Sequence, residues 1–263
     1  MPASRAAALR SAARRLSRDV ATLRFAAPVA AVYDPLGYAR RPHAAYLETY
    51  GDSRKRVVFL GMNPGPFGMA QTGVPFGDVA AVRDFLGIEA PVGRPASEHL
   101  KRPVEGFACA RSEVSGTRLW GAIAARYGTA TRFFADHFVA NYCPLLFLEA
   151  SGRNRTPDKL PAREREALYR ACDRHLLRLV EVLEPTWVVG IGAFAEARAR
   201  AVVGGRAQVA RVLHPSPASP RAQRDWAGQV RRELVAQGVC PASNEAGSRV
   251  GRRAASRRRA KAQ

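Results

Sequence analysis

Three side chains in this sequence could do chemistry without carrying charge. Asn63 lies in GMNPGPFGMAQTGVPFG, residues 61 to 77, which holds five glycines, three prolines and no charge in a chain of formal net charge +20. Asn141 lies in HFVANYCPL, residues 137 to 145, and His214 closes AQVARVLH, residues 207 to 214. An amide accepts and donates hydrogen bonds and an imidazole can donate one, so the set can hold a small polar ligand by hydrogen bonds alone. Two phosphate motifs are excluded. Gly68 and Gly73 have P-loop spacing, but Val74 and Pro75 stand where Lys and Ser or Thr would meet phosphate and magnesium. GIGAFA, residues 190 to 195, has dinucleotide-loop spacing, yet no acid lies between Glu196 and Asp225 to meet a ribose; it reads as tight strand–helix packing. Cys109, Cys143, Cys172 and Cys240 are scattered without a C-x-x-C pair, so core thiols in a reducing compartment are expected, with no zinc or iron-sulfur site.

The elements that must position these residues are short apolar runs. KRVVFLG (55 to 61), HFVANYCPL (137 to 145), TWVVGIG (186 to 192) and AQVARVLH (207 to 214) read as buried strands. Between them, 117 to 127, 157 to 184 and 193 to 203 read as helices; the second has Thr156 as N-cap, an apolar face through Leu168, Cys172, Leu176, Leu179 and Leu183, and Pro185 as stop. Strands alternating with helices predict an α/β fold with a largely parallel sheet. Ligands bind such sheets outside the carboxyl ends of the strands, where Asn63, Asn141, Gly192 and His214 all fall. Segments 86 to 116 and 146 to 156 read as Pro-, Gly- and polar-rich loops.

With 263 residues, 47% of them hydrophobic, the chain can form one core, expected over residues 25 to 240. A basic N-terminal arm or helix (1 to 24) and a disordered basic tail (241 to 263) are expected to flank it. Five arginines precede the first acid, Asp19, and seven cations follow the last, Glu245, so the ends carry 12 of the 20 net charges. Such clusters suit a polyanion, with an acidic membrane surface as the competing reading. No apolar run spans a bilayer and no secretory h-region is seen, so an intracellular protein is expected, in cytoplasm or nucleoid if bacterial and in the nucleus if eukaryotic; a mitochondrial presequence is the other reading of the first 25 residues.

GMNPGPFGMAQTGVPFG followed by HPSPASP resembles the two signature segments of the single-strand-selective monofunctional uracil-DNA glycosylases, family 3 of the uracil-DNA glycosylase superfamily. VYDPLGYARRPHAAYLETYG, VRDFLGI, VGRPASEHLKRPVEGFACARSEVSG, NYCPLLFL and SGRNRTPDKL extend the resemblance over roughly residues 25 to 237. It implies a three-layer α/β/α sandwich, and an enzyme that hydrolyses the N-glycosidic bond of uracil in single- and double-stranded DNA, leaving an abasic site with no metal or organic cofactor. It also admits 5-hydroxymethyluracil, xanthine or other deaminated bases. By this resemblance Asn63 positions the attacking water, His214 donates to the uracil O2 as charge develops, Asn141 reads N3–H and O4, Phe76 stacks on the base, and Met62, Gly65 and Met69 line the pocket. Taken singly, each has a plainer reading: a turn asparagine before proline, a strand-end histidine, a strand-capping amide, a core phenylalanine.

Uracil leaves as an anion stabilised by its own carbonyls, so no strong general acid is required, and a carboxylate beside it would oppose departure. That accounts for the chargeless loop, in which Gly65 and Gly68 are expected to leave main chain open to the base. SGRNRTPDK is expected to offer Ser151, Gly152, Arg153, Asn154, Arg155 and Lys159 to phosphate before a helix N-terminus, with a solvated loop as the alternative. HPSPASPRAQR resembles the family's wedge into the duplex, here Ser216, Pro217, Ala218, Ser219, Arg221 and Arg224. Vertebrate members carry Arg-Asn where this chain has Ala218 and Ser219, so single strands or U·G mismatches are expected to be preferred over U·A pairs. A monomer acting on DNA, with no membrane partner, is the expectation; a mismatch-directed uracil or thymine glycosylase and a non-catalytic damaged-DNA-binding protein are the alternatives.

Overall fold

A computed structural model describes residues 4–217 and 219–241, the side chain of Arg221 apart. In chain order the elements are α1 (Arg5–Ala21), β1 (Val29–Tyr33), α2 (Pro35–Tyr38), α3 (Arg40–Tyr50), β2 (Val57–Gly61), α4 (Met69–Thr72), α5 (Val114–Tyr127) and α6 (Ala130–Phe134). They continue with β3 (His137–Asn141), β4 (Leu146–Glu149), β5 (Asn154–Arg155), α7 (Ala162–Leu183), β6 (Trp187–Ile191), α8 (Ala193–Val203), β7 (Gln208–Val212) and α9 (Pro220–Ala236).

The four predicted strands become β2, β3, β6 and β7, paired in the order β3-β2-β6-β7 with every pairing parallel. Both faces of such a sheet are covered, which is why VVFLG and WVVGI read as apolar runs without alternation. Val57, Phe59, Ile191 and Val212 face α5 and α9, while Phe138 and Ala140 face α1, α3 and α7. The layers are therefore helix, sheet, helix. A Cβ on Gly190 would lie 2.3 Å from the Glu196 amide nitrogen, so α8 can approach β6 this closely only across a glycine. The GIG turn serves packing.

Three expectations change. Residues 146 to 156 are not simply a loop: they contain β4 and β5, which with β1 form an antiparallel sheet in the order β1-β4-β5. Leu146 and Leu148 are buried there with Ala31 and Tyr33, so a distant partner strand overrides the local turn composition. The long helix starts at Ala162 rather than 157. Leu160 is extended (ψ 152°) because it precedes Pro161, and residues Pro157–Lys159 form a separate short turn of 3-10 helix.

Third, the basic N-terminal segment is a docked helix, not an arm. Leu9, Ala13, Leu16 and Val20 of α1 are buried in the main core, and α1 packs on α7 and α3. Arg5 pairs with Glu184 and Arg10 with Glu48. The arginines occupy the polar side of an amphipathic helix whose other side joins the main core. The tail expected at 241 to 263 lies, beyond Pro241, outside the described residues. No helix among the described residues is long and apolar enough to cross a membrane. Cys109, Cys143 and Cys172 are buried free thiols and Cys240 is half-buried and free.

Candidate active site

The carboxyl ends of β2, β3 and β7 each deliver one of the three neutral side chains. β2 ends at Gly61 and runs into Met62 and Asn63, β3 ends at Asn141, and His214 follows β7 by two residues. Gly61 and Asn141 are register partners. A Cβ on Gly61 would lie 2.3 Å from Asn141 Oδ1 and 2.5 Å from Phe76 Cε2, so this glycine makes room for both side chains. Sequence reasoning assigned it no role.

Asn63 Nδ2 donates to the Leu145 carbonyl at 3.2 Å and to the Pro64 carbonyl at 3.4 Å. Its Oδ1 takes no bond from the described residues and is left to accept from a water. Asn141 is less satisfied. Its Oδ1 is buried without a partner among the described residues, and its Nδ2 meets only Met69 Sδ, at 3.3 Å. A buried acceptor left unpaired costs about 1 to 3 kcal/mol unless a ligand completes it. An N–H flanked by a carbonyl, the N3–O4 edge of uracil, completes both groups; cytosine presents the opposite pattern. Next to Asn141, Tyr142 donates to Asp173 at 2.6 Å, and Arg198 grips both oxygens of that carboxylate at 2.6 Å, anchoring the end of β3 to α7 and α8.

Phe76 adopts φ 54°, a left-handed conformation uncommon for a bulky residue, and Trp120 holds it there by donating Nε1 to its carbonyl at 3.1 Å. Its ring centroid lies 6.3 Å from that of His214. The His214 imidazole has no hydrogen-bond partner among the described residues, and burial pushes its pKa below the usual histidine value. It is therefore neutral at pH 7 and still has one N–H to donate. Gly192, at φ 93°, lets it sit close: a Cβ there would be 3.3 Å from His214 Cβ. The preceding Leu213 is pinned by α9, its N–H donating to Glu233 at 2.7 Å and its carbonyl accepting from Trp226 Nε1 at 2.8 Å.

The start of α5 ties these loops together, and the sequence reading gave it no part in the site. Glu113 accepts the Phe67 N–H at 3.2 Å and fills the space beside two glycines: a Cβ on Gly65 would lie 2.3 Å from Glu113 Oε2, and one on Gly68 3.0 Å from its Cγ. In the direction a side chain would take, those glycines make room for Glu113. A carboxyl group thus stands behind the chargeless loop, and burial pushes its pKa up, disfavouring charge there. A Cβ on Gly116 would be 2.2 Å from the Phe76 carbonyl. Arg118 donates to the carbonyls of Pro215 and Ser216 at 3.2 and 3.1 Å, and Ser115 to that of Pro215 at 3.5 Å. Spacings of three and four between Glu113, Gly116 and Trp120 put them on one helix face, the one signal that could have found them.

The segments assigned to DNA are partly occupied with the protein itself. Asn154 Nδ2 donates to the Pro64 carbonyl at 3.3 Å, in the loop that carries Asn63. Arg153 and Arg155 both pair with Glu149, at 2.9 and 3.0 Å, and Arg155 also donates to the Lys159 carbonyl at 2.7 Å. Ser151 Oγ accepts the Arg153 N–H at 3.3 Å around a turn at Gly152, φ 82°. Because α7 starts at Ala162, the segment does not lead straight into its N-terminus. In the presumed wedge, Ser219 caps α9, its Oγ accepting the Ala222 N–H at 3.4 Å, and the Pro217 carbonyl accepts from Gln223 at 2.7 Å. Arg224 is exposed, whereas Ala218 and the Arg221 side chain lie outside the described residues. Among the described residues no group of three or more His, Cys, Asp or Glu could hold a metal ion.

A family model for the uracil DNA glycosylase superfamily matches residues 48–234. Single-strand selective monofunctional uracil DNA glycosylases of Mus musculus and Rattus norvegicus are each 49% identical over 237 residues, covering 89% of this chain and 85% of theirs. That of Bos taurus is 49% identical over 230 residues, covering 86% and 85%. The chain belongs to the uracil DNA glycosylase superfamily, in its single-strand selective monofunctional branch. The crystal structure of wild-type Pedobacter heparinus SMUG2 shares the fold, with a TM-score of 0.64 at 17% identity over 87% of this chain and 97% of that one.

Proposed function

We propose that this protein hydrolyses the N-glycosidic bond of uracil in DNA, releasing uracil and leaving an abasic site. The observation that carries the reading is Asn141, a buried amide whose acceptor is unpaired and whose donor meets only a thioether, at the end of a strand beside Phe76. The extruded uracil lies on Phe76 with N3–H donating to Asn141 Oδ1 and O4 accepting from its Nδ2. A water bonded to Asn63 Oδ1 attacks C1′ from the side away from the base. The C1′–N1 electron pair leaves on uracil and spreads over O2 and O4, and the neutral His214 imidazole donates its N–H to O2. The water gives up a proton to solvent, and the sugar keeps the hydroxyl.

The partner is DNA, met by a monomer inside the cell. Exposed Arg14, Arg15 and Arg18 of α1 have no acid partner among the described residues and are free to track phosphate. Ser219 is engaged as a helix cap, which supports a preference for single strands or U·G over U·A. The test is incubation of a uracil-containing oligonucleotide with the purified chain in EDTA. Free uracil and a strand that breaks only after alkali are expected; breakage without alkali, or loss of activity in EDTA, overturns the reading.

A further inference from the structure

Outside the candidate site, residues 98 to 102 form a tight turn with an exposed apolar tip. Leu100 is 98% exposed, and among the described residues only one other large hydrophobic side chain, Val114 at 41%, is more than about a third exposed. Single exposed apolar residues are ordinary, but these two border the same loop. Val114 follows Glu113, which cradles Gly65 and Gly68, and the turn carrying Leu100 lies against Phe67: Arg102 stands over that ring at 5.4 Å and Arg111 at 3.8 Å.

The turn is cross-linked rather than loose. Tyr33 Oη accepts the His99 N–H at 2.7 Å and donates to the Arg102 carbonyl at 2.7 Å, so one buried tyrosine ties both ends. The Arg102 N–H bonds the His99 carbonyl at 2.8 Å, the Lys101 N–H bonds His99 Nδ1 at 3.1 Å, and the Val104 N–H bonds Glu98 at 2.7 Å. Gly152 lies beneath it; a Cβ there would be 3.2 Å from Lys101 Cβ and 3.4 Å from His99 Cε1. Through Gly152 and Asn154 the turn is braced on the loop that bonds Pro64, next to Asn63. Lys101, Arg102 and Arg111 have no acid partner among the described residues. A rigid support that holds an apolar tip in water, flanked by unpaired cations beside the loop that carries Asn63, has the composition of an element that enters a nucleic-acid stack.

We infer that this turn is a second DNA-contacting element, in which Leu100 inserts against the bases beside the extruded nucleotide while Lys101 contacts a flanking phosphate. The inference rests on the reading that the protein excises a base from DNA. It assigns the lip formed by residues 67 and 98 to 102 a gripping role separate from the segment at 214 to 224.

The test uses the full chain and a U·G duplex carrying 2-aminopurine next to the uracil, with the matching single strand as control. Leu100→Ser should weaken duplex binding about 10-fold and slow single-turnover duplex cleavage similarly, as expected for loss of an apolar wedge. It should also diminish the 2-aminopurine signal, and leave cleavage of the single strand at saturating enzyme within about twofold, the scale of an exposed substitution. Leu100→Met should restore all of these, and Lys101→Ala should weaken both substrates in a salt-dependent way. Because Leu100 touches almost nothing in the folded protein, misfolding does not confound the result. If wild type cleaves the single strand but Leu100→Ser leaves duplex affinity, rate and fluorescence unchanged, the inference is wrong and the proposed function stands. If wild type releases no uracil from the single strand, the proposed function itself fails.

Discussion

Two basic segments lie against the loop that carries Asn63, and their charges are engaged differently. In the segment from 151 to 159, Arg153 and Arg155 already face Glu149. Along 99 to 111, Lys101, Arg102 and Arg111 have no acid partner among the described residues, and two of them lie over Phe67. The first segment reads as the stronger phosphate site from its composition, yet the second has the more available field. A phosphate meets only the charge that the fold has left unpaired, so clustered arginines in a sequence measure total charge and not the potential outside the molecule. The contrast extends to Asn154, which sits in the first segment but bonds the main chain of the loop bearing Asn63.

Next to both segments lies the uncharged centre, which sets the upper bound for any effect. Asn63→Ala and His214→Ala should each lower single-turnover cleavage on the order of 100-fold, with little change in the dissociation constant for uracil-containing DNA. A near wild-type rate would remove that residue from the centre. Asn154→Ala should come next, at about 10-fold in rate with an unchanged salt dependence, because a slightly displaced loop misplaces the attacking water. Lost affinity at an unchanged rate would instead return Asn154 to phosphate binding.

The comparison itself is sharpened by two double variants read in a potassium chloride titration of binding to a single strand. Lys101→Ala with Arg111→Ala should flatten the slope of log affinity against log salt by about 1.4, ~0.7 for each phosphate no longer neutralised. Arg153→Ala with Arg155→Ala should flatten it by less than half as much, and equal slopes would erase the distinction. The smallest effect is expected at Glu113→Gln, within about threefold in rate, since a neutral acceptor replaces a carboxyl at the Phe67 amide. Burial raises the Glu113 pKa, so the group gains its charge only as pH rises through that raised value. The rate of wild type relative to Glu113→Gln should therefore decline with rising pH, and the salt slope should not move. A steeper slope in the variant would mean that Glu113 neutralises Arg111.

Much of the site was legible because it depends on strand ends. β2, β3, β6 and β7 are local apolar runs, and a parallel sheet brings their carboxyl ends to one edge whatever the loops do, which is why Asn63, Asn141 and His214 could be found together. α8 was read over its full span for a similar reason, since it directly follows a strand, and the structure ends it at a left-handed Gly204. The rest depended on partners far along the chain. β4 needs β1 before Leu146 and Leu148 have a core to enter, and the basic N-terminal helix needs α7 before Leu9 and Leu16 are buried. The start of α7 was a local error: Pro161 excludes the helix from the residue before it.

The sequence by itself determined the class of fold and the three neutral residues at the strand ends, because both are written in short-range pattern, apolar runs with glycine and proline punctuation and a loop without charge; the family came from the resemblance of whole segments to known members. Only the tertiary structure decided what surrounds those three residues. Glu113 lies behind Gly65 and Gly68 because α5 crosses the loop. Asn141 Oδ1 is left unpaired because Gly61, its register partner, brings no side chain. Arg153 is paired while Lys101 is not, because a turn at Gly152 folds the former onto Glu149 and leaves the latter facing water. Burial and ion pairing are set by distance in space, which falls off steeply and is not given by distance along the chain.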